Sequence, residues 1–230
     1  MRFILSRTED FRVHSKKWIV GYGLLFWLIS RIFAMLLIIV CVAIYKMYGI
    51  DPESQTSFVG NPETAKSLGS TIYVLTTISM VAPLLEECIF RLGLSFRRWQ
   101  VALAAASIPA YILWQNINSL TIFNDSIFIF VIVAVFSAIY YFTTDSFWIS
   151  LKMKYFKQSI YITAIAFGLL HFIAFSNHDY KLIPYMLCVI NMLFLAGCAI
   201  TYYRVNLGFW WGVGLHVFNN VPAIIVMLSI

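Results

Sequence analysis

Residues 181–203 have the sequence KLIPYMLCVINMLFLAGCAITYY, in which no charged residue follows Lys181. A helix of about 20 apolar residues crosses the hydrocarbon core of a bilayer, so this stretch predicts a transmembrane helix. Six further apolar runs cover residues 23–47, 69–90, 98–117, 126–144, 158–176 and 207–229. Only helices and closed barrels satisfy the backbone in lipid, and barrel strands would be short and alternating. The sequence therefore predicts an all-α, polytopic transmembrane helix bundle of about seven spans (six to eight).

The composition supports this class. Apolar residues make up 61% of the 230 residues and charged residues 11%, whereas soluble domains have about 45–50% and about 25%. So little charge cannot coat a soluble body, and the high apolar fraction excludes intrinsic disorder. The net charge of +6 does not indicate nucleic acid as a partner, because excess Lys and Arg are typical of cytoplasmic loops. The lipid bilayer is the expected partner of most of the surface.

The cysteines lie within apolar runs and have no paired spacing. They are therefore expected to be small buried hydrophobic residues, and neither a disulfide framework nor a structural zinc site is expected. The four are Cys41, Cys88, Cys188 and Cys198.

Basic and non-basic loops alternate along the chain. The N-terminal segment is basic, the loop at 49–67 is mostly acidic, and basic residues return at 91–98 and 152–157. This alternation predicts an integral membrane protein with a cytoplasmic N-terminus and an outer C-terminus. The expected location is a prokaryotic cell inner membrane. Arg31 and Lys46 are predicted near opposite ends of the first span, where long side chains can reach the interface.

The segment PLLEECIFR at 83–91 places charged residues inside a predicted span, where they are costly and mark function. Glu87 and Arg91 have the i, i+4 spacing that favours a helical ion pair. Glu86 lies about 100° around the helix from Glu87, so it can act separately as a general base. The alternative is that both acids are solvated near the inner interface.

Two histidines also lie in predicted spans. His171 follows Phe167 by four residues, and His216 precedes Asn220 by four, so each pair shares a helix face. Either histidine could instead be a packing residue or a hydrogen-bonding contact between helices. Gly208, Gly212 and Gly214 are predicted to pack against neighbouring helices.

A carboxylate, two histidines and an amide are sufficient for hydrolysis without a covalent intermediate, because the acid can activate water and the donors can stabilise an oxyanion. No histidine is followed by Glu, so the zinc-protease motif is absent. The order Glu86-Glu87-x-x-x-Arg91, Phe167-x-x-x-His171 and His216-x-x-x-Asn220 resembles the motifs of the CPBP family, the CAAX prenyl proteases and bacteriocin-processing enzymes also called the Abi family. The resemblance covers about residues 68–225.

The resemblance implies an intramembrane glutamic endopeptidase that acts on a membrane-associated peptide or protein. It implies that Glu86 activates the water, His171 positions it, and His216 and Asn220 stabilise the oxyanion, while Glu87, Arg91 and Phe167 support the site. A metal-free mechanism is favoured, and zinc held by Glu86, His171 and His216 is the alternative. Residues 68–230 would form the protease core, preceded by a basic segment, a first transmembrane helix and an outer loop at 1–67.

This sequence departs from the family pattern between Glu86 and His171, where the interval is about twice the usual one. The extra length corresponds to one helical hairpin, formed by the runs at 98–117 and 126–144. Straight helices would also leave Glu86 and His171 at different depths, so a helix break at Pro83 is predicted.

Two other functions use the same residues. The chain could be a non-catalytic membrane immunity or scaffold protein on the same fold, or a small transporter with Glu86 and His171 as a proton relay. No inverted repeat of the transporter kind occurs in the sequence. The substrate, its prenylation and the oligomeric state are not determined by these residues.

Overall fold

A computed structural model describes residues 15–52, 76–116, 122–172, 175 and 179–228. Every regular element among these residues is helical, in agreement with the all-α prediction. The basic residues before 15, most of the 49–67 loop and residues 69–75 of the second predicted span lie outside the described residues.

Seven α-helices are described, and all of them overlap the apolar runs of the sequence. They are α1 (Lys16–Met47), α2 (Ala82–Arg91), α3 (Arg98–Asn116), α4 (Ile122–Phe142), α5 (Asp145–Leu170), α6 (Ile183–Leu207) and α7 (Phe209–Leu228). A π-helical turn at Thr77–Val81 precedes α2, and short 3-10 turns lie at Leu92–Ser95 and Tyr180–Leu182.

Two of these helical segments, Lys16–Met47 and Tyr180–Leu207, are long and apolar enough to cross a membrane. The helical segments Ser126–Phe142 and Asp145–Leu170 meet at a bend of 90°. If this bent pair counts as one span, the same criterion gives a third crossing. One face of α1 carries the exposed side chains of Leu25, Ile29 and Phe33. Large exposed apolar surfaces of this kind mark contact with lipid or with other proteins, and together these features indicate a membrane protein.

The chain divides into two compact units. Unit 1 comprises Met1–Val81 and Ala164–Ile230, and unit 2 comprises Ala82–Thr163.

Antiparallel packing of α1 on α6 forms the core of unit 1. The Tyr203 hydroxyl donates to the Val20 carbonyl at 2.7 Å, and at the other end the Tyr45 hydroxyl donates to the Lys181 carbonyl. Gly23 makes the close approach possible, because a Cβ there would lie 2.8 Å from Cζ of Tyr203. The helices therefore meet along their length with a fixed register.

In unit 2, α3 packs against α2 and α4, and Arg98 holds the corner between α4 and α5. Its amide donates to Asp145 Oδ1 at 3.2 Å, its Nη1 donates to the Thr143 carbonyl at 3.4 Å, and its guanidinium lies 4.4 Å from the Tyr140 ring centroid. The hairpin that lengthens the Glu86–His171 interval is thus present as the packed pair α3–α4.

Arg31 lies near the middle of α1. The helix begins at Lys16 rather than at 23, so Arg31 lies midway between Lys16 and Lys46, about 22 Å from each. Its Nη2 is buried and has no hydrogen-bond partner among the described residues.

Two further predictions change in detail. Residues 145–157, predicted as a loop, form the first half of α5, on which Lys152, Lys154 and Lys157 are exposed. The predicted helix break at Pro83 does not occur, since the helix continues through this residue. Its hydrogen-bonding pattern instead changes from π to α at Ala82, because Pro83 has no N–H to donate and disturbs the preceding turn.

The predicted glycine packing face is wrong for Gly208 and Gly214. No atom lies within 4 Å of a Cβ built at either position. Gly208 instead ends α6 with φ of 110°, a conformation that favours glycine, and Gly214 lines an apolar groove beside Val20 and Trp210.

Candidate functional site

The site residues predicted from the sequence form two clusters, one in each unit. Glu86, Glu87 and Arg91 lie on α2 in unit 2, and we call them the acidic cluster. Phe167, His171 and His216 lie in unit 1, and we call them the histidine cluster.

The acidic cluster is buried. Glu86 is 7% exposed, and Glu87 and Arg91 are both 0% exposed. Arg91 Nη1 donates to Glu87 Oε1 in an i, i+4 ion pair, as the spacing predicts. Full burial argues against the alternative that these acids are solvated at an interface, because a buried charge is costly unless it is paired and hydrogen-bonded.

Helix α2 is held in place by its neighbour α3. The Cys88 thiol, adjacent to Glu87 in sequence, lies near the Ser107 hydroxyl of α3. That hydroxyl donates to the Leu103 carbonyl at 2.8 Å, within its own helix. After Arg91 the chain leaves α2 through the 3-10 turn and reverses at Phe96, which has φ of 55°. The charged residues therefore lie on a short helix that ends in a 3-10 turn.

Phe167 is the centre of the histidine cluster. Its ring is 2% exposed, and its centroid lies 4.9 Å from that of His171 and 5.4 Å from that of His216, with interplanar angles of 67° and 84°. Both contacts are edge-to-face, a favourable geometry for aromatic rings. Phe167 thus joins the end of α5 to α7, and both histidines contact its ring.

His171 follows the last residue of α5, and its ring orientation is fixed by a hydrogen bond. Its Nδ1 lies 2.8 Å from the Phe167 carbonyl oxygen. A carbonyl oxygen can only accept, so Nδ1 is the protonated nitrogen and the neutral ring carries its lone pair on Nε2. His171 can therefore accept a proton or a hydrogen bond at Nε2.

A close approach of helices positions this turn. At Gly168 an added Cβ would lie 3.2 Å from Phe194 Cβ and 3.4 Å from Phe194 Cα, on α6. Glycine lets the end of α5 lie directly against α6. Phe167 precedes this contact in the sequence, and His171 follows it. The sequence analysis did not identify this role for Gly168.

On α7, His216 is 3% exposed, and Asn220 lies one turn further along the same helix. The neighbouring Asn219 accepts a hydrogen bond from Trp27 Nε1 at 3.2 Å, and the Trp27 ring lies 5.2 Å from that of Phe218. Trp27 belongs to α1, which lies outside the motifs. The sequence analysis missed this contact, although an amide in an apolar helix indicates that a partner exists.

A metal site is not evident in the described part of the chain. There, no group of three or more His, Cys, Asp or Glu side chains could hold a metal ion. The clusters can supply a buried carboxylate, a histidine acceptor, and histidine and amide donors, which are the groups that water-dependent hydrolysis requires.

Comparisons with protein-family models, with curated proteins and with solved structures find no match for this chain.

Proposed function

We propose that the chain is an intramembrane endopeptidase of the CPBP type, which hydrolyses a peptide bond of a membrane-associated protein or peptide. The observation that carries the proposal is the histidine cluster, in which His171 and His216 contact the same Phe167 ring. These residues come from two of the three motifs, which are distant in sequence. The acidic cluster supports the proposal independently, because its acids and Arg91 are buried on a short helix.

The proposed enzyme has about seven spans and a cytoplasmic N-terminus, and it lies in a prokaryotic inner membrane. The proposed reaction requires Glu86, His171 and His216 to act on the same peptide bond.

The reaction requires only groups of this chain. Glu86 accepts a proton from water while the water oxygen attacks the carbonyl carbon of the scissile bond. His171 Nε2 accepts a hydrogen bond from the same water and orients it. His216 and Asn220 donate to the carbonyl oxygen as it becomes negative. Glu86 then returns the proton to the amide nitrogen, the C–N bond breaks, and a carboxyl group and an amine are released.

The test compares membranes that contain the wild-type chain, Glu86→Gln, His171→Ala or the control Gln158→Ala. Gln158 is exposed on α5, so its replacement leaves both clusters unchanged. The N-termini of the membrane proteins are profiled by mass spectrometry. Wild type and Gln158→Ala should produce the same new N-termini within or beside transmembrane segments, and both site variants should lose them at unchanged abundance of the protein. Identical profiles in all four would refute the peptidase.

Convergence of the clusters is tested separately by pairwise cysteine crosslinking in a cysteine-free background. Cysteines at positions 86 and 171, or at 86 and 216, should crosslink with a short bifunctional reagent. Failure of both pairs, together with normal insertion, would contradict the shared site and favour the immunity or scaffold function, in which Glu86→Gln leaves the cellular phenotype intact.

A further inference from the structure

Cys41 and Cys188 are far apart in sequence, yet they face each other across the α1–α6 interface. Their side chains lie close together. Neither is in a disulfide, and both are half-buried rather than enclosed. The sequence showed no paired spacing, because the pairing depends on the antiparallel register of two helices.

Contacts that involve no sulfur fix this register on both sides of the pair. One turn after Cys41, the Tyr45 hydroxyl donates to the Lys181 carbonyl. One turn before it, Ile38 packs against the cluster of Met186, Val189 and Ile190 around Cys188. Cys41 therefore lies in the seam between the helices, opposite the residues that flank Cys188.

The other cysteines have different surroundings. Cys88 lies in unit 2 beside Ser107, and Cys198 is buried further along α6. They provide internal controls, because they share the chain and the reagent but not the pairing.

We propose that Cys41 and Cys188 form a reversible disulfide that fastens α1 to α6, with a low-molecular-weight disulfide as the oxidant. The pair lies about 9 Å from the end of α1 and about 8 Å from the start of α6, so it is near one end of the helix pair. By the loop charges this end faces outward, where disulfides persist. The inference is independent of the proposed peptidase activity.

The exchange takes two steps. The thiolate of one cysteine attacks the oxidant and releases one small thiol, which leaves a mixed disulfide on the protein. The thiolate of the other cysteine then attacks the protein sulfur of the mixed disulfide and releases the second small thiol. Overall, the two cysteines lose two electrons and two protons, and the oxidant gains them. A dithiol reductant reverses the reaction.

The experiment uses the full chain in membranes, incubated with oxidised glutathione, alkylated and analysed by mass spectrometry without reduction. The wild type should lose two hydrogen atoms and yield a linked pair of peptides that contain Cys41 and Cys188. Cys41→Ser and Cys188→Ser should instead each carry one glutathione on the remaining partner. The double variant Cys88→Ser with Cys198→Ser should form the bridge as the wild type does, and dithiothreitol should remove it.

Other outcomes overturn the proposal. These are glutathione on both Cys41 and Cys188 of the wild type, two unmodified thiols under conditions that modify the single variants, a bridge to Cys88 or Cys198, or a bridge between two copies of the chain on a non-reducing gel.

Discussion

The acidic cluster and the histidine cluster stabilise buried polar side chains in different ways. Glu87 and Arg91 pair within one turn of α2, where both side chains are fully buried. His171 and His216 are brought together by Phe167, at a contact between the end of α5 and α7. The first cluster depends on charge pairing, whereas the second depends on helix packing. Disruption of the Glu87–Arg91 pair should therefore mainly lower stability, and disruption of the histidine cluster should mainly lower the proposed activity.

The largest effect is expected when the buried ion pair is broken. Arg91→Met leaves Glu87 without its cation, and Glu87→Gln leaves Arg91 without its anion. Each should lower the free energy of unfolding by about 3–5 kcal/mol, because an uncompensated charge is left buried. Chemical denaturation in detergent measures this loss.

The double variant Glu87→Met with Arg91→Met provides the control for this prediction. It removes both charges, so it should be more stable than either single variant. If the double variant loses as much as the two single variants added together, the side chains do not interact as a pair and the comparison between the clusters fails.

A smaller effect on stability is expected at the contact between α5 and α6, next to the histidine cluster. Gly168→Ala requires Phe194 Cβ, 3.2 Å from the added Cβ, to move by a few tenths of an ångström, and overpacking in a packed interior costs about 1–3 kcal/mol. It should also reduce kcat by displacing Phe167 and His171. Gly214→Ala is the matched control, because no atom lies within 4 Å of its added Cβ and alanine favours the helix by about 0.5–1 kcal/mol. Equal stability of the two variants would show that Gly168 does not set the contact.

The same contrast explains what the sequence could and could not predict. The Glu87–Arg91 pair was predictable because i, i+4 neighbours on a helix meet regardless of the rest of the fold. The helices were predictable because backbone N–H and C=O groups in lipid must form hydrogen bonds within their own apolar run. The contact of Phe167 with His216 was not, because it depends on which helices pack together.

Helix ends and registers were also beyond the sequence. The first span was predicted to begin at 23, after Lys16 and Lys17, yet α1 begins at Lys16, which moves Arg31 from a predicted end to the middle of the helix. The spacing suggested that Gly208 and Gly214 pack against neighbouring helices, whereas close approaches are observed at Gly23 and Gly168, against residues far away in sequence. Spacing within one helix does not identify the face that a distant helix will cover.

Removal of the central ring should separate activity from stability. Phe167→Leu keeps an apolar side chain but loses both edge-to-face contacts, which are worth about 0.5–1.5 kcal/mol each. We expect a loss of about 1–3 kcal/mol in unfolding free energy and a larger relative loss in kcat, because both histidines lose their common contact. Phe167→Tyr retains the ring and should retain the edge-to-face contacts. A variant Phe167→Leu with full activity would contradict the role of the ring in positioning the histidines.

The smallest effect concerns the contact between α1 and α7. Trp27→Phe keeps an aromatic ring against Phe218 but removes the N–H that donates to Asn219. Hydrogen bonds between membrane helices are worth about 0.6 kcal/mol on average, so the variant should lose about that much. Trp18→Phe is the control, because Trp18 is 59% exposed and stacks on Tyr22 of its own helix. A double-mutant cycle with Asn219→Ala should give a coupling of the same size. A coupling of zero would show that α1 does not hold α7 through this bond.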